Sequence, residues 1–307
     1  TVIAPREDHR FHIDWSKGIA TGPGIADDKA GLVVMLSGLT KYLGNGGRPK
    51  QSLQIIISPN EETGSPGFLS TFYDLAKKSK LNLGFEPALA NGSLIGARNG
   101  NRWYKVTLQG KSAHSGRFGT AHLNAFHEMA MSVSALHHLN NEESRTRLNV
   151  GSIEGGTGHY NVICGQVTAK IDMRFPSFEL RDQLHSAFME EFLRPKLSCP
   201  VSGDHCKVNI EIEDDCPPLA EDMRSRNLAS FYCEIVGALE KRSVTITHAG
   251  GAADINHLSL PSNYGIDGLG AVGGELHTRR EYIELSTLLS RSTALSHFLK
   301  ELEGRTL

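Results

Sequence analysis

The chain has 307 residues, 32 Lys+Arg against 34 Asp+Glu, a net charge of −2 and 39% apolar residues. That balance offers no basic field to nucleic acid and no polybasic footprint to a membrane surface. No apolar run approaches the roughly 20 residues of a membrane helix, and the chain is too apolar to be disordered. The length suits about two domains, at roughly 100–200 residues each. Cys164, Cys199, Cys206, Cys216 and Cys233 are an odd number without a CxxC pair, as expected of reduced thiols in a cytoplasmic protein, each an ordinary core residue. The opening Thr1-Val2-Ile3-Ala4-Pro5 is no signal peptide and lacks a Met, so a segment could lie upstream.

Residues 29–43 carry Leu32, Val33, Leu36, Leu39 and Leu43 at helical spacing after Asp27-Asp28, which predicts a helix buried on that stripe. Leu53–Ser58 (LQIIIS) reads as a buried parallel strand. Glu61-Glu62 follow it, then a helix-like stretch at 68–76 and a second short strand at 81–85 ending in Glu86. Strand, acid, helix, strand, acid is the rhythm of an α/β sheet. From Arg102 the pattern changes: residues 103–108, 167–175 and 208–212 alternate, with helical stretches near 122–139 and 178–193 between them. These features predict an inserted α+β domain at 101–213, within an α/β, mixed- or parallel-sheet domain built from 1–100 and 214–307. Helices are expected at about 222–241 and 284–302.

The pair Glu61-Glu62 directly after an apolar strand is the strongest local signal, because ligands of open α/β sheets bind beyond the carboxyl ends of the strands. Glu86 would reach the same edge, and Asp27 would sit at a helix start, where the dipole favours an acid. Acids gathered at one rim repel unless cations neutralise them. Oxygen ligands with a histidine, for which His277 is the candidate, suit zinc, manganese or cobalt. A plainer reading fits equally well: Glu61-Glu62 begins a helix and His277 is a surface loop residue. Gly22-Pro23-Gly24 is a poor dinucleotide loop, since a third glycine is missing and DWSKGIAT before it is no buried strand. No GxSxG elbow is present.

The segments GPGIADDKAG, SPNEETGSPG, GFEP, GKSAHSG, GGTGHYNVI, DMRF and GGELHTRREYIEL stand in this order. Together they resemble the two-metal amidohydrolase and peptidase family of acetylornithine deacetylase, succinyl-diaminopimelate desuccinylase, aminoacylase and carboxypeptidase G, most of all the carboxypeptidase G branch. The resemblance implies a zinc exopeptidase-type catalytic domain with an inserted dimerisation (lid) domain. It also implies hydrolysis of peptide or N-acyl amino acid C–N bonds by a metal-activated water. Asp27 resembles the carboxylate that bridges two ions. Glu62 and His277 resemble ligands of one ion, Glu86 a ligand of the other, and Glu61 the general base. His114 resembles the histidine that reaches the partner subunit's site and stabilises the oxyanion. Asn161, Arg174 and Gly251 match substrate-contacting positions, Arg174 as a clamp for a carboxylate. The partners implied are a small substrate and a second copy of the chain. The other histidines, His9 and His12 among them, match no ligand motif.

Two departures stand out. Family members carry an early HxD motif, often followed by Thr-Val, whose His binds the second ion. Here Thr1-Val2 opens the chain, as though about 70–100 residues on the domain scale were missing before it. An acidic tract, Glu213-Asp214-Asp215, also stands where the glutamate-specific branch has an Arg, which argues against specificity for C-terminal glutamate. The alternative to an active hydrolase is a truncated or degenerate member that cleaves nothing, of marginal stability through exposed sheet edges. With three ligands for one ion and only Asp27 and Glu86 for the other, metal analysis should return one tightly held ion per chain. Two tight ions would contradict that reading.

Overall fold

The computed structural model describes residues 10–305. Thr1-Val2 and His9 lie outside the described residues. The chain forms two compact units, one running to Arg98 and including Leu219–Ala249 and the chain from Ala253, the other comprising Asn99–Pro218 with Gly250–Ala252.

The first unit opens with β1 (His12–Asp14), β2 (Ile19–Thr21), α1 (Gly31–Gly44), α2 (Leu69–Ala76), β3 (Leu81–Leu83) and β4 (Leu94–Arg98). The second carries β5 (Gly100–Gln109), α3 (Ala125–Ala135), β6 (Arg147–Gly155), β7 (Gln166–Phe175), α4 (Phe178–Leu193) and β8 (Lys207–Cys216). The chain then returns to the first unit through α5 (Met223–Glu240), β9 (Ile246–Ala249), α6 (Asp254–His257) and β10 (Tyr264–Ile266). It closes with β11 (Gly273–Gly274), β12 (Tyr282–Glu284) and α7 (Leu285–Leu302).

In the first unit β3 pairs with β10 and β4 with β9, both parallel, while β1, β2, β12 and β11 form an antiparallel sheet in that order. This is a mixed α/β architecture. Leu94, Tyr232, Val236, Ile266 and Phe298 form its main core, and α1 packs along α7.

Three expectations fail here. The buried face of α1 is Gly31, Val34, Met35, Gly38 and Tyr42, whereas Val33, Leu36 and Leu43 of the expected stripe are exposed. The helix is apolar in more than one register, and a glycine decides which one wins. A Cβ on Gly38 would lie 2.7 Å from the Leu295 side chain and 2.9 Å from the Ser292 carbonyl of α7. A side-chain pattern cannot reveal a contact made through a missing side chain.

The run Leu53–Ser58 is not a buried strand: no strand pairs with it among the described residues, and Leu53, Ile55 and Ile57 are about half exposed. Without a neighbouring strand its backbone has no ladder and its side chains no cover. DWSKGIAT, in turn, does contain strand residues. It spans the turn of the β1–β2 hairpin, with Ala20 buried.

The second unit is an antiparallel sheet in the order β6-β7-β5-β8, with α3 and α4 packed on it. On β7 the expected set Val167, Ala169, Ile171, Met173 and Phe175 is buried throughout. Strand β6 was not foreseen, because a register shift between Val150 and Ser152 breaks its alternation. A second shift lies opposite Trp103–Tyr104, and Ile212 beside it is exposed. Beyond it Asp214 accepts from Asn101 Nδ2 (2.6 Å), and Asp215 accepts two N–H donors from Arg102 (3.0 and 2.6 Å). The acidic tract is therefore bonded within its own sheet.

One buried ion pair fastens α5 to α7. Arg291, with no exposed side-chain surface, donates from Nε to Glu240 Oε1 (2.7 Å) and from Nη2 to the Gly92 carbonyl (2.8 Å). Burial pushes the Glu240 carboxyl up, but the hydrogen bond and charge of Arg291 outweigh it and hold the carboxyl below its ordinary value of 4.5. Glu240→Gln should cost about 3–5 kcal/mol in urea unfolding, because it strands the Arg291 charge. The carboxylate's contribution is complete above the unfolded value of 4.5 and disappears as pH falls through the lower folded value. The variant should lack that acid-side loss.

Candidate metal centre

The site is built in the first unit from three separated stretches of chain. Residues Ile25–Ala30 form a π-helical turn in which Asp27 (φ −115°, ψ 92°) and Asp28 (φ −131°, ψ 34°) leave helical geometry, and the peptide between them is cis. Asp27 therefore does not stand at the first turn of α1, which begins at Gly31. The backbone of the turn is held instead by a buried carboxylate. Glu281, almost fully buried, accepts from the backbone N–H of Gly24 at Oε2 (3.0 Å) and of Ala26 and Asp27 at Oε1 (2.8 and 2.9 Å).

Glu61 and Glu62 lie in a single 3₁₀ turn, Glu61–Thr63, closed by Gly64 at φ 82°. His277 stands in a turn where it and Glu275 adopt positive φ (59° and 56°), with the Thr278 N–H donating to the Glu275 carbonyl. Its Nε2 lies 3.0 Å from Asp27 Oδ2 and 3.3 Å from Glu62 Oε1. One donor atom from each of Asp27, Glu62 and His277 falls within 4.8 Å of the others, the one such group of three or more among the described residues.

Glu86 is not in that group. It follows β3 at a place where the chain presses on the Asp27 turn: a Cβ on Gly31 would lie 2.1 Å from both the Phe85 carbonyl and the Asp28 carboxylate. Burial, then Asp267, Asp28 and Asp27, push the Glu86 carboxyl well up against the opposing pull of Arg98. Asp28 is pushed up to about 8 by burial and by Asp267 and Asp27. Glu61 is pushed up to about 7 by burial and by Asp254, Glu62 and Asp27. Arg98, nearly buried, pairs with Asp267 at 2.5 Å. Carboxylates thus outnumber the cationic groups around them. Two carboxylates and an imidazole in the midst of further acids are a donor set that fits a divalent cation such as zinc.

The remaining candidates lie in the second unit. His114 and Asn161 come together, Asn161 Nδ2 standing 3.4 Å from His114 Nε2, and both are exposed. The loops that carry them are joined by Ser115 N–H to the Asn161 carbonyl and Ile163 N–H to the Ala113 carbonyl, 2.9 Å each. Arg174 donates to Asp172 two residues away on β7 (2.8 Å). Gly251 is exposed, with open space where a Cβ would point.

Sequence reasoning missed Glu281, Asp254 and the Arg98–Asp267 pair. Glu281 stands inside the quoted GGELHTRREYIEL, but an acid after two arginines reads as a solvated charge run. Asp254, which accepts from the buried Ser65 hydroxyl at 2.6 Å, closes the GGAAD segment around Gly251, which reads as a Gly-rich loop with no separate role for its acid.

Comparison with known proteins adds to this geometry. A peptidase dimerisation domain matches residues 96–197. Carboxypeptidase G2 of Pseudomonas sp. (strain RS-16) is 25% identical over 298 residues, covering 95% of this chain and 69% of that protein. Succinyl-diaminopimelate desuccinylase of Alkalilimnicola ehrlichii is 25% identical over 182 residues, 55% of this chain and 48% of that enzyme. Among solved structures, aminopeptidase PepT of Bacillus cereus superposes with a TM-score of 0.77 at 21% identity, covering 99% of this chain and 78% of that one, a likeness of fold. No helix among the described residues is long and apolar enough to cross a membrane. The ordered motifs, the dimerisation-domain match and the chain-long similarity agree: over nearly its whole length this chain is similar to the peptidases and amidohydrolases represented by carboxypeptidase G2 and succinyl-diaminopimelate desuccinylase.

Proposed function

We propose that the chain is a zinc-dependent hydrolase of amide bonds in small peptides or N-acyl amino acids, with manganese or cobalt as substitute ions. The observation that carries this reading is the convergence of Asp27, Glu62 and His277 from the two ends of the chain. These three would hold the ion, and Glu86 with Asp27 would be the partial set for a second. A zinc ion there supplies Lewis acidity, which polarises an amide carbonyl and lets water lose its proton near neutral pH. Glu61 takes that proton and returns it to the leaving amine. A carboxyl held near 7 by burial and neighbouring acids is suited to both transfers.

His114 of a second copy of the chain, whose Nδ1 accepts from the Gly116 N–H so that Nε2 carries the proton, donates to the oxyanion that develops as the carbonyl is attacked. Arg174 binds a substrate carboxylate, exchanging it for Asp172, and the chain at Gly251 leaves room for a substrate backbone. The second unit joins two copies of the chain. A second reading, a member that binds one ion and turns nothing over, is favoured by Glu86 standing outside the three-donor group.

Assays on dipeptides and N-acyl amino acids with added zinc or manganese separate the two. Turnover supports the first, and tight metal binding without turnover supports the second. Glu61→Gln should lower kcat by about 10²–10⁴-fold and keep metal binding. With zinc at about 100 times Kd the unaltered chain should gain about 2.7 kcal/mol against unfolding, and Asp27→Asn or His277→Ala should lose most of that gain.

A further inference from the structure

We infer that Glu281 is a positioning residue, the group that sets where the Asp27 carboxylate stands relative to His277. The inference rests on the metal-site reading above. Both oxygens of the Glu281 carboxylate are engaged by the segment that carries Asp27: Oε1 accepts from the N–H of Ala26 and of Asp27 itself, Oε2 from that of Gly24. The backbone of Glu281 extends the same connection. Its carbonyl accepts from Gly22 N–H and its own N–H donates to the Thr278 carbonyl, 3.3 Å each, and Thr278 is the residue after His277. One side chain and its own peptide groups thus bond to the stretches bearing both ligands, which stand 250 positions apart and 3.0 Å from each other.

The residue is itself on a firm base. Strand β12 begins immediately after it, and Ile283 is in register with Ala20 of β2. Glu281 has almost no exposed surface, so water cannot replace it as acceptor for three N–H groups. An acceptor-only carboxylate suits this place and an amide does not: glutamine at 281 keeps one oxygen and turns an NH₂ group towards an N–H donor. Because Asp27 donates its own N–H to this carboxylate, the dihedrals that aim its side chain are set by the contact. Partners that orient metal ligands typically contribute 10–100-fold to metal affinity.

The test is a cobalt titration of the full chain, followed by visible absorption and by competition with a chromophoric chelator, beside thermal melts. Glu281→Gln should bind Co²⁺ about 10–100-fold more weakly, with displaced d–d bands and retained far-UV circular dichroism. Glu240→Gln, whose hydrogen bonds go to Ser290, Arg291 and Arg242 and to none of these ligands, serves as comparison: it should lower Tm and leave both Kd and bands as in the unaltered chain. A folded Glu281→Gln protein with unchanged Kd and spectrum overturns the inference.

Should that variant not fold, hydrogen exchange on the unaltered, metal-free chain decides. The amides of Gly24, Ala26 and Asp27 should be protected, and free exchange overturns the inference. Failure of the metal-site reading has its own signature: no Co²⁺ binding by the unaltered chain, or undiminished binding by Asp27→Asn. Either result, with the three amides still protected, overturns the role towards metal while leaving the clamp.

Discussion

Like-charge repulsion governs the first unit. Burial and the neighbouring charges of Asp27, Glu62, Asp254 and Asp267 raise the proton affinity of Asp28, Glu61 and Glu86. Arg98 stands among them as a permanent cation. Part of the gathering is fixed by other groups: Asp267 by Arg98, Asp254 by Ser65, and the backbone of the Asp27 turn by the Glu281 carboxylate. A dication is the compact way to offset the remainder, which is why the arrangement reads as a metal centre rather than as an accident of a polar cleft.

Much of this was legible in the residues. The alternation on β7 and the limits of α4 follow directly from side-chain periodicity, since a half-buried strand and an amphipathic helix leave regular traces. Glu62, Asp27 and His277 stood out as local candidates, but only the ordered motifs joined them, because no local pattern tells that residues 250 positions apart will touch. What stayed hidden has physical reasons. The seat of α1 on α7 is made by Gly38, whose contribution is an absent side chain. The exposure of Leu53, Ile55 and Ile57 depends on whether a neighbouring strand exists, which an apolar run does not state. Glu281 was hidden by its flanking arginines, as its partners are backbone amides and carry no signature in sequence.

The second unit shows how a register shift changes chemistry. The irregularity in β8 opposite Trp103–Tyr104 reverses which face the following residues occupy, and so carries Asp214 and Asp215 onto Asn101 and Arg102. An acidic stretch that looks, in one dimension, like a surface presented to ligand is in three dimensions largely consumed by its own sheet.

The seam between α1 and α7 has a practical side. Helix α1 starts at the end of the turn that holds Asp27, lies without a spacer against Leu295, and ends where the Tyr42 hydroxyl and the Arg48 amide both donate to Glu303 (2.8 and 2.7 Å). The carboxy-terminal helix is thus a splint for the ligand loop rather than a trailing appendage. Loosening the last turn of α7 frees the far end of a lever whose near end carries Asp27, the residue proposed to hold the ion.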